Sequence, residues 1–396
     1  MNSCSQTVKR ESSIELFRIL AMLLIIMHHY VVNSGLSTLA AQDYSAGPAA
    51  FLFSFGAWGK MGINCFVLIT GYFMCRQTIS ARKFIKLLAE AEFYNILFFL
   101  LFTLSGYEPF SIQGALAALF PVTSVTTGFL SCYLIFYFCI PFLNILIKNI
   151  NRKNHIRLLV LCLFIYTFLG SLSMLNSFFR TLRFGVSMNY VSWFIVLYFL
   201  GAYIRIYPPA GIKNAKAYLP GLLIAALASL FSVILLTYLK ALPPDSPLAA
   251  NRVIHMLRDQ DVHYFLADSN KILAVLTSVY GFLFFKNLHL GYHRRINAMG
   301  ASTFGVLMIH ANSDTMRQWL WRDLLRNPEM FSSPYLPVHA VLSVLGIFII
   351  CVLLDRARIR FVERPFFRWW DRHYDHWAER FCQREKAWCR RLHIEE

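Results

Sequence analysis

Long apolar stretches alternate with short polar segments along almost the whole chain. A run of about 18 or more mostly apolar residues is typical of a helix that spans a membrane. The pattern predicts ten such helices, at approximately 14–33, 51–75, 86–105, 128–147, 157–175, 190–206, 217–239, 271–287, 302–320 and 336–355. The apolar segment 112–122 is too short to span and is expected to be interfacial or re-entrant. The predicted fold class is therefore an all-α polytopic membrane protein, with one membrane domain at 1–355.

The distribution of basic residues predicts the orientation of these helices. Lys and Arg cluster after the even-numbered spans, at 76–86, 148–157, 205–216 and 286–295. The loops 34–50 and 106–127 contain neither residue type. Because the cytoplasmic loops of membrane proteins carry an excess of Lys and Arg, both termini are predicted to be cytoplasmic. The first apolar run contains charged residues and is expected to remain as an uncleaved span.

Composition and charge narrow the class of protein further. The chain is 57% hydrophobic and only 15% charged, and its net charge of +17 comes from short clusters between apolar runs and from the tail 356–396. This placement predicts no nucleic-acid partner. The tail mixes charges with aromatic residues, which predicts a separate cytoplasmic segment at the membrane face. The nine cysteines include no CxxC pair, so neither a disulfide framework nor a metal site is predicted.

The first predicted span contains ionisable residues that a bilayer disfavours. At about 100° per residue, Arg18 and His29 differ by only about 20° in direction and lie on one helix face. His28 points about 80° away from that face. Glu15 precedes Arg18 by three residues and can pair with it. Two interpretations stay open: a functional polar seam, or a local ion pair with histidines that hydrogen-bond between helices.

Two other predicted spans carry polar candidates. Asn64 and Thr70 lie in the second span, within GKMGINCFVLITGYFM, and are expected to face a site between helices, with Asn64 as a substrate-binding candidate. His310 lies in the ninth span, with Asp314 one turn later. Such an i,i+4 pair can fix the tautomer of the histidine and raise its basicity, or it can only bridge helices.

One predicted outer loop carries two arginines, Arg180 and Arg183. They are either solvated charges or substrate-binding residues for an anionic molecule such as a lipid-linked diphosphate sugar.

A histidine and an arginine on one helix face fit the transfer of an acyl group to a hydroxyl. A neutral histidine can take the hydroxyl proton while the oxygen attacks a thioester. An arginine can hold a phosphate by two parallel hydrogen bonds, and coenzyme A is rich in phosphate and is supplied from the cytoplasm. His29 is therefore the candidate base. Arg18 is the candidate residue for binding the donor, and Glu15 is expected to hold Arg18 in place by an ion pair.

The chain resembles the membrane-bound acyltransferase 3 family in motifs that follow the family's order. The first span is similar to its Arg-x10-His motif, at Ile14, Glu15, Phe17, Arg18 and His29. The second span is similar to its glycine-containing motif, at Gly62, Ile63, Phe66, Val67, Thr70, Gly71 and Tyr72. STFGVLMIH, which ends at His310, and RFVERPFFR resemble two later motifs. Asn64 departs from the pattern, because an acidic residue is common there in the family.

The resemblance implies an acyl-CoA-dependent O-acyltransferase of the bacterial inner membrane. It implies acetyl-CoA as the donor, and an envelope polysaccharide or lipid-linked glycan as the acceptor, in contact with membrane lipid and without a metal. The implied catalytic residues are Glu15, Arg18, His29 and His310. The alternative is an envelope-glycan transporter or polymerase without acyl-transfer activity, for which the outer-loop arginines are the key residues.

Overall fold

The computed structural model describes residues 10–77, 81–120, 128–177, 184–185, 188–208, 214–249 and 251–374. Within these ranges the chain forms helices and no β-strand. The α-helices are α1 (Ser12–Val32), α2 (Leu36–Gln42), α3 (Gly47–Gly56), α4 (Gly59–Met74), α5 (Ala81–Leu104), α6 (Ile112–Leu119), α7 (Phe129–Asn149), α8 (Arg152–Leu163), α9 (Tyr190–Ile206), α10 (Leu219–Ala241), α11 (Arg252–Arg258), α12 (Ile272–Lys286), α13 (Arg294–Gly300), α14 (Thr303–His310), α15 (Asp314–Gln318), α16 (Leu336–Arg358) and α17 (364–374). Short 3-10 or π segments lie at Phe164–Leu169, Leu172–Ser177, Ala215–Ala217, Trp319–Leu324, Asn327–Met330 and Ile359–Glu363.

Six helical stretches of the described chain are long and apolar enough to cross a membrane. They are Ser12–Val32, Gly47–Met74, Arg82–Leu104, Phe129–Asn149, Leu219–Ala241 and Leu336–Tyr374. Two shorter apolar helices, α9 and α12, join them, so that together they coincide with eight of the ten predicted spans. The all-helical class is confirmed, and these helices support a multi-pass membrane fold. The count of ten spans and the cytoplasmic placement of both termini stay predictions.

The other two predicted spans are interrupted. Predicted span 157–175 begins within α8 and continues through a π segment and a 3-10 segment. Predicted span 302–320 divides into α14 and α15, because Ser313 caps a new helix: its hydroxyl accepts a hydrogen bond from the backbone N–H of Met316 at 3.1 Å. A serine at this position stabilises a helix start rather than a helix interior. The break places His310 at the end of α14.

The helix α1 is surrounded by other helices. It packs on α3, α4, α12, α13, α14 and α16. Its apolar side chains Ile14, Met22 and Ile26 are almost fully buried against these neighbours. The polar side chains of α1 therefore face other helices, where they find hydrogen-bond partners that lipid does not supply.

The helices α4 and α9 come into backbone contact at two glycines. A Cβ atom added at Gly71 would lie 2.6 Å from the carbonyl oxygen of Tyr198, and one added at Gly201 would lie 2.5 Å from the carbonyl oxygen of Leu68. Small residues allow this close approach between membrane helices. Gly71, which belongs to the second-span motif, therefore has a packing role.

The chain stays helical past residue 356, where the sequence predicts the polar tail to begin. The helix continues from α16 through the π segment into α17. Arg358 is buried and forms ion pairs of 2.9–3.0 Å with the carboxylates of Glu90, Asp355 and Glu363. A buried guanidinium needs such partners, and they join the start of the tail to α5. Residues 375–396 lie outside the described part of the chain.

The glycine contact between α4 and α9 gives a stability prediction. Replacing Gly201 with Ala should lower the free energy of unfolding by about 1–3 kcal/mol, because the added methyl group forces the two backbones apart. Thermal unfolding of the purified protein in detergent measures this. Gly346→Ala is the matched control, since no atom lies within 4 Å of the added Cβ there. Equal melting temperatures for the two variants would contradict the close packing.

Candidate active site

Three adjoining cavities follow α1 through the bundle. The Arg18 cavity, of about 490 Å³, lies between the first turns of α1, the last turns of α4 and the first half of α7. A narrow passage of about 150 Å³ shares the side chains of Arg18 and Tyr133 with that cavity. The His29 cavity, of about 360 Å³, shares the side chains of Phe129 and Leu307 with the passage. Arg18 and His29 do not line a common cavity. They stand at the two ends of this series.

His29 forms a hydrogen-bonded pair with His310. The Nδ1 of His310 lies 2.6 Å from the carbonyl oxygen of Val306, which can only accept, so this nitrogen donates. In a neutral His310 the Nε2 then carries the lone pair, and it lies 3.0 Å from the Nδ1 of His29. The Nδ1 of His29 must donate to it. The Nε2 of a neutral His29 is thereby left with a lone pair at the cavity.

The predicted pairing of His310 with Asp314 is wrong. The helix breaks between the two residues, and the carboxylate of Asp314 is 96% exposed and pairs with Arg317 at 2.6 Å. The i,i+4 rule applies only within one continuous helix. A backbone carbonyl of α14 orients the His310 ring. His310 in turn orients the ring of His29.

His28 also lines the His29 cavity, although it points away from the face shared by Arg18 and His29. Its Nδ1 lies 2.6 Å from the carbonyl oxygen of Gly56, to which it donates. Its ring packs against Gly59 at the start of α4. His28 therefore ties α1 to α3 and α4 at the wall of the cavity.

Glu15 lies between two arginines at the beginning of α1. Its Oε1 is 3.1 Å from the Nη1 of Arg10 and 4.0 Å from the Nη1 of Arg18. The predicted Glu15–Arg18 pair is present, but the contact with Arg10 is shorter. Within the described residues, the buried Nε of Arg18 and the buried Oε2 of Glu15 have no hydrogen-bond partner. Arg18 therefore keeps donor capacity for a ligand in its cavity.

The His29 cavity contains two cations that the sequence did not single out. The Nζ of Lys60 donates a hydrogen bond to the Tyr190 hydroxyl at 2.6 Å and lies 3.7 Å from the carboxylate of Asp268. Arg317 also lines the cavity, and its buried Nε has no hydrogen-bond partner within the described residues. No Asp or Glu belongs to the described lining of this cavity. Both cations are paired with carboxylates outside this lining, Lys60 with Asp268 and Arg317 with Asp314, so the cavity offers hydrogen-bond donors to an electron-rich group rather than an excess of charge.

Two asparagines of the same cavity were also missed. The Nδ2 of Asn312 donates to the Oδ1 of Asn95 at 3.0 Å, which joins the break after α14 to α5. The signal for Asn95 was present, because an amide inside a predicted span has to face a partner or a cavity. Asn312 carried the same signal, since it lies inside the predicted span 302–320.

A larger polar cleft of about 620 Å³ adjoins the His29 cavity and shares Asn95 and Asn312 with it. It lies beside α6, the short helix of the predicted interfacial segment. Its polar lining comprises Asn95, Glu108, Ser111, Gln113, Ser131, Asn312, Ser313, Asp314 and Thr315. Such a surface offers both donors and acceptors to a molecule with many hydroxyl groups. We call it the hydroxyl cleft.

The passage between the two end cavities is narrow and mostly apolar. Its wall includes Met22, Phe66, Phe129, Phe304 and Leu307, with Thr70 at the end nearer Arg18. The hydroxyl of Thr70 lies 3.0 Å from that of Tyr133. Thr70 thus faces the site, as its position in the second span led us to expect.

Of the remaining predicted substrate-binding residues, the structure describes only Asn64. Asn64 is fully buried, and its amide donates to the carbonyl of Ser269 at 2.7 Å and accepts from Trp193 at 3.0 Å. Because both ends of the amide are engaged, the structure gives Asn64 a role in helix packing, and it lines none of the three cavities. Arg180 and Arg183 lie outside the described residues. No group of three or more potential metal ligands occurs in the described chain.

Comparison with known proteins identifies the family. A family model described as an acyltransferase domain matches residues 11–356. That range holds the passage, both members of the histidine pair, and the lining of the Arg18 cavity except Arg10. The searches of curated proteins and of solved structures gave no match. Because the match covers most of the chain, the protein belongs to the acyltransferase 3 family.

Proposed function

We propose that this acyltransferase moves an acetyl group from acetyl-CoA to a hydroxyl of an envelope glycan or glycolipid in the bacterial inner membrane. The observation that carries the proposal is the hydrogen-bonded pair of His29 and His310 at the end of a passage that begins at Arg18. The pair supplies a base whose lone pair faces a cavity. The passage supplies a route by which a thioester reaches that base.

The proposed reaction needs one base that returns its proton. The Nε2 of His29 takes the proton of the acceptor hydroxyl while that oxygen attacks the thioester carbonyl carbon. The new C–O bond forms and the C–S bond breaks. The thiolate of coenzyme A leaves with the proton from His29. His310 accepts the Nδ1–H of His29 throughout and is a positioning residue rather than a catalytic one.

The Arg18 cavity suits the phosphate-rich end of the donor. Arg10, Arg18 and Lys83 line it together with Glu11 and Glu15, and the unpartnered Nε of Arg18 is available to a phosphate oxygen. The apolar passage suits the thin pantetheine arm and a short acyl group, because its volume of about 150 Å³ is small. A small acyl group such as acetyl fits this space best.

The hydroxyl cleft suits the acceptor. It adjoins the His29 cavity through Asn95 and Asn312, so a sugar held there brings a hydroxyl toward His29. Phe99 and Phe102 add apolar ring surface to its otherwise polar wall. With the N-terminus cytoplasmic, the donor enters from the cytoplasm and the acceptor from the outer side of the membrane.

Replacing His29 with Ala should lower the turnover of acetyl transfer by about 10²–10⁴-fold, because the proton of the attacking hydroxyl then has no base. The acetyl-ester content of envelope glycans, measured by mass spectrometry in cells with matched protein levels, checks this. His255→Ala is the control, since this histidine is 71% exposed in α11. Full acetylation by the His29 variant would refute the assignment and favour a transporter or polymerase.

Replacing His310 with Ala should lower turnover by about ten-fold or more with little change in the KM for acetyl-CoA, because the tautomer of His29 is no longer fixed. His310→Gln should retain more activity than His310→Ala, since an amide oxygen can accept the same hydrogen bond. A double variant lacking both histidines should be no slower than His29→Ala alone. Additive losses would show that the two residues act independently.

Replacing Arg18 with Ala should raise the KM for acetyl-CoA by about ten-fold or more and change turnover less, because Arg18 contacts the donor far from the reacting carbon. Arg18→Lys should be intermediate, as it keeps the charge but loses the planar fork. Kinetics of coenzyme A release from the purified protein measure both constants. An unchanged KM in the Ala variant would remove Arg18 from the donor site.

A further inference from the structure

A basic cleft of about 420 Å³ lies between the start of α5 and α17, beside the Arg18 cavity, with which it shares Lys83. Its cationic lining residues are Arg82, Lys83, Lys86, Arg364 and Arg368. The acidic lining residues are Glu363 and Asp371. With five positive and two negative side chains, the lining has a formal charge of +3. The cleft thus attracts an anion.

Two arginines of this cleft take part in none of its ion pairs. Arg82 pairs with Asp371 at 2.9 Å, and Lys86 pairs with Glu363 at 2.5 Å. Both pairs join α5 to the end of the molecule that contains α17. Arg364 and Arg368 lie one turn apart on α17, and neither has an ion-pair partner in the described part of the chain. Two adjacent guanidinium groups of this kind suit a phosphate.

The helix that carries these arginines also presents large apolar side chains to its surroundings. Phe366 is 36% exposed and Trp369 is 50% exposed. At about 100° per residue, both point away from the side of Phe367, which lines the cleft. Exposed aromatic side chains at the end of an apolar helix are typical of the boundary between lipid and water. The apolar stretch Leu336–Tyr374 runs into this helix without a break.

We propose that the basic cleft binds the phosphate headgroup of an anionic membrane phospholipid. The positive lining matches the charge of the headgroup, and the exposed aromatic residues place the same helix at the depth of lipid headgroups. Basic pockets beside membrane helices are known to hold such headgroups. The bound lipid would neutralise Arg364 and Arg368 and join α17 to α5.

A phosphate group could also come from a soluble molecule such as coenzyme A. The cleft shares only Lys83 with the Arg18 cavity, and its two unpaired arginines do not line that cavity. A soluble ligand in the cleft would leave the exposed aromatic residues beside it without a contact, whereas a lipid would cover them. These observations favour the lipid and are independent of the proposed acyl transfer.

Native mass spectrometry of the full-length protein in a nonionic detergent tests the proposal. Delipidated protein is titrated with phosphatidylglycerol or with phosphatidylcholine of the same acyl chains. Wild-type protein should retain phosphatidylglycerol in preference to phosphatidylcholine. The double variant Arg364→Gln with Arg368→Gln should bind phosphatidylglycerol about ten-fold more weakly or worse.

Two further variants separate loss of charge from loss of folding. Arg364→Lys with Arg368→Lys keeps both charges and should retain the lipid. Arg372→Gln removes a charge from the same helix outside the cleft and should also retain it. Equal binding of phosphatidylglycerol by wild type and the Gln double variant would overturn the proposal. Displacement of phosphatidylglycerol by an equal concentration of coenzyme A would overturn it too, since the cleft would then serve the soluble molecule.

Discussion

Two histidine rings that face each other inside an apolar bundle must share one proton between the two facing nitrogens. Here the carbonyl of Val306 decides how, because it holds the Nδ1 of His310 as a donor and leaves the Nε2 as an acceptor. His29 then has to donate from Nδ1, and its other nitrogen is free to act as a base at the cavity. Val306 and His310 lie one turn apart in α14, so a single helix fixes the orientation of this ring.

A continuous ninth helix would have carried His310 and Asp314 on one face, and that is how the sequence was interpreted. A serine that caps a new helix, as Ser313 does, is a local sequence signal. The long apolar pattern around it favours one continuous helix, and the sequence alone does not show which of the two signals decides the structure. Helix periodicity within the first span was more reliable. It placed Arg18 and His29 on one face, and the structure places them at the two ends of adjoining cavities along α1.

Contacts between distant segments account for most of what the sequence did not reveal. Asn64 was a reasonable candidate for a site, but its partners Ser269 and Trp193 lie far away in sequence. Lys60 and Arg317 join the His29 cavity for the same reason, from α4 and α15. Apolar length and composition do identify the helices. They do not determine which face of each helix meets which neighbour.

Contacts between distant segments also distinguish the arginines near the end of the described chain. The buried Arg358 forms ion pairs with three carboxylates and joins the start of the tail to α5. Arg364, one turn and a half farther along, has no such partner in the described chain and lies in an open cleft. Both are arginines of one continuous helix, and only their surroundings distinguish a structural ion pair from a residue available to a ligand.

The structure of the protein with a non-hydrolysable acetyl-CoA analogue, determined by electron cryomicroscopy, tests the central claim most directly. We expect the phosphates to lie in the Arg18 cavity, the pantetheine arm in the passage beside Phe129 and Leu307, and the acyl carbon next to the Nε2 of His29. An analogue bound with its acyl carbon outside the passage and away from His29 would contradict it.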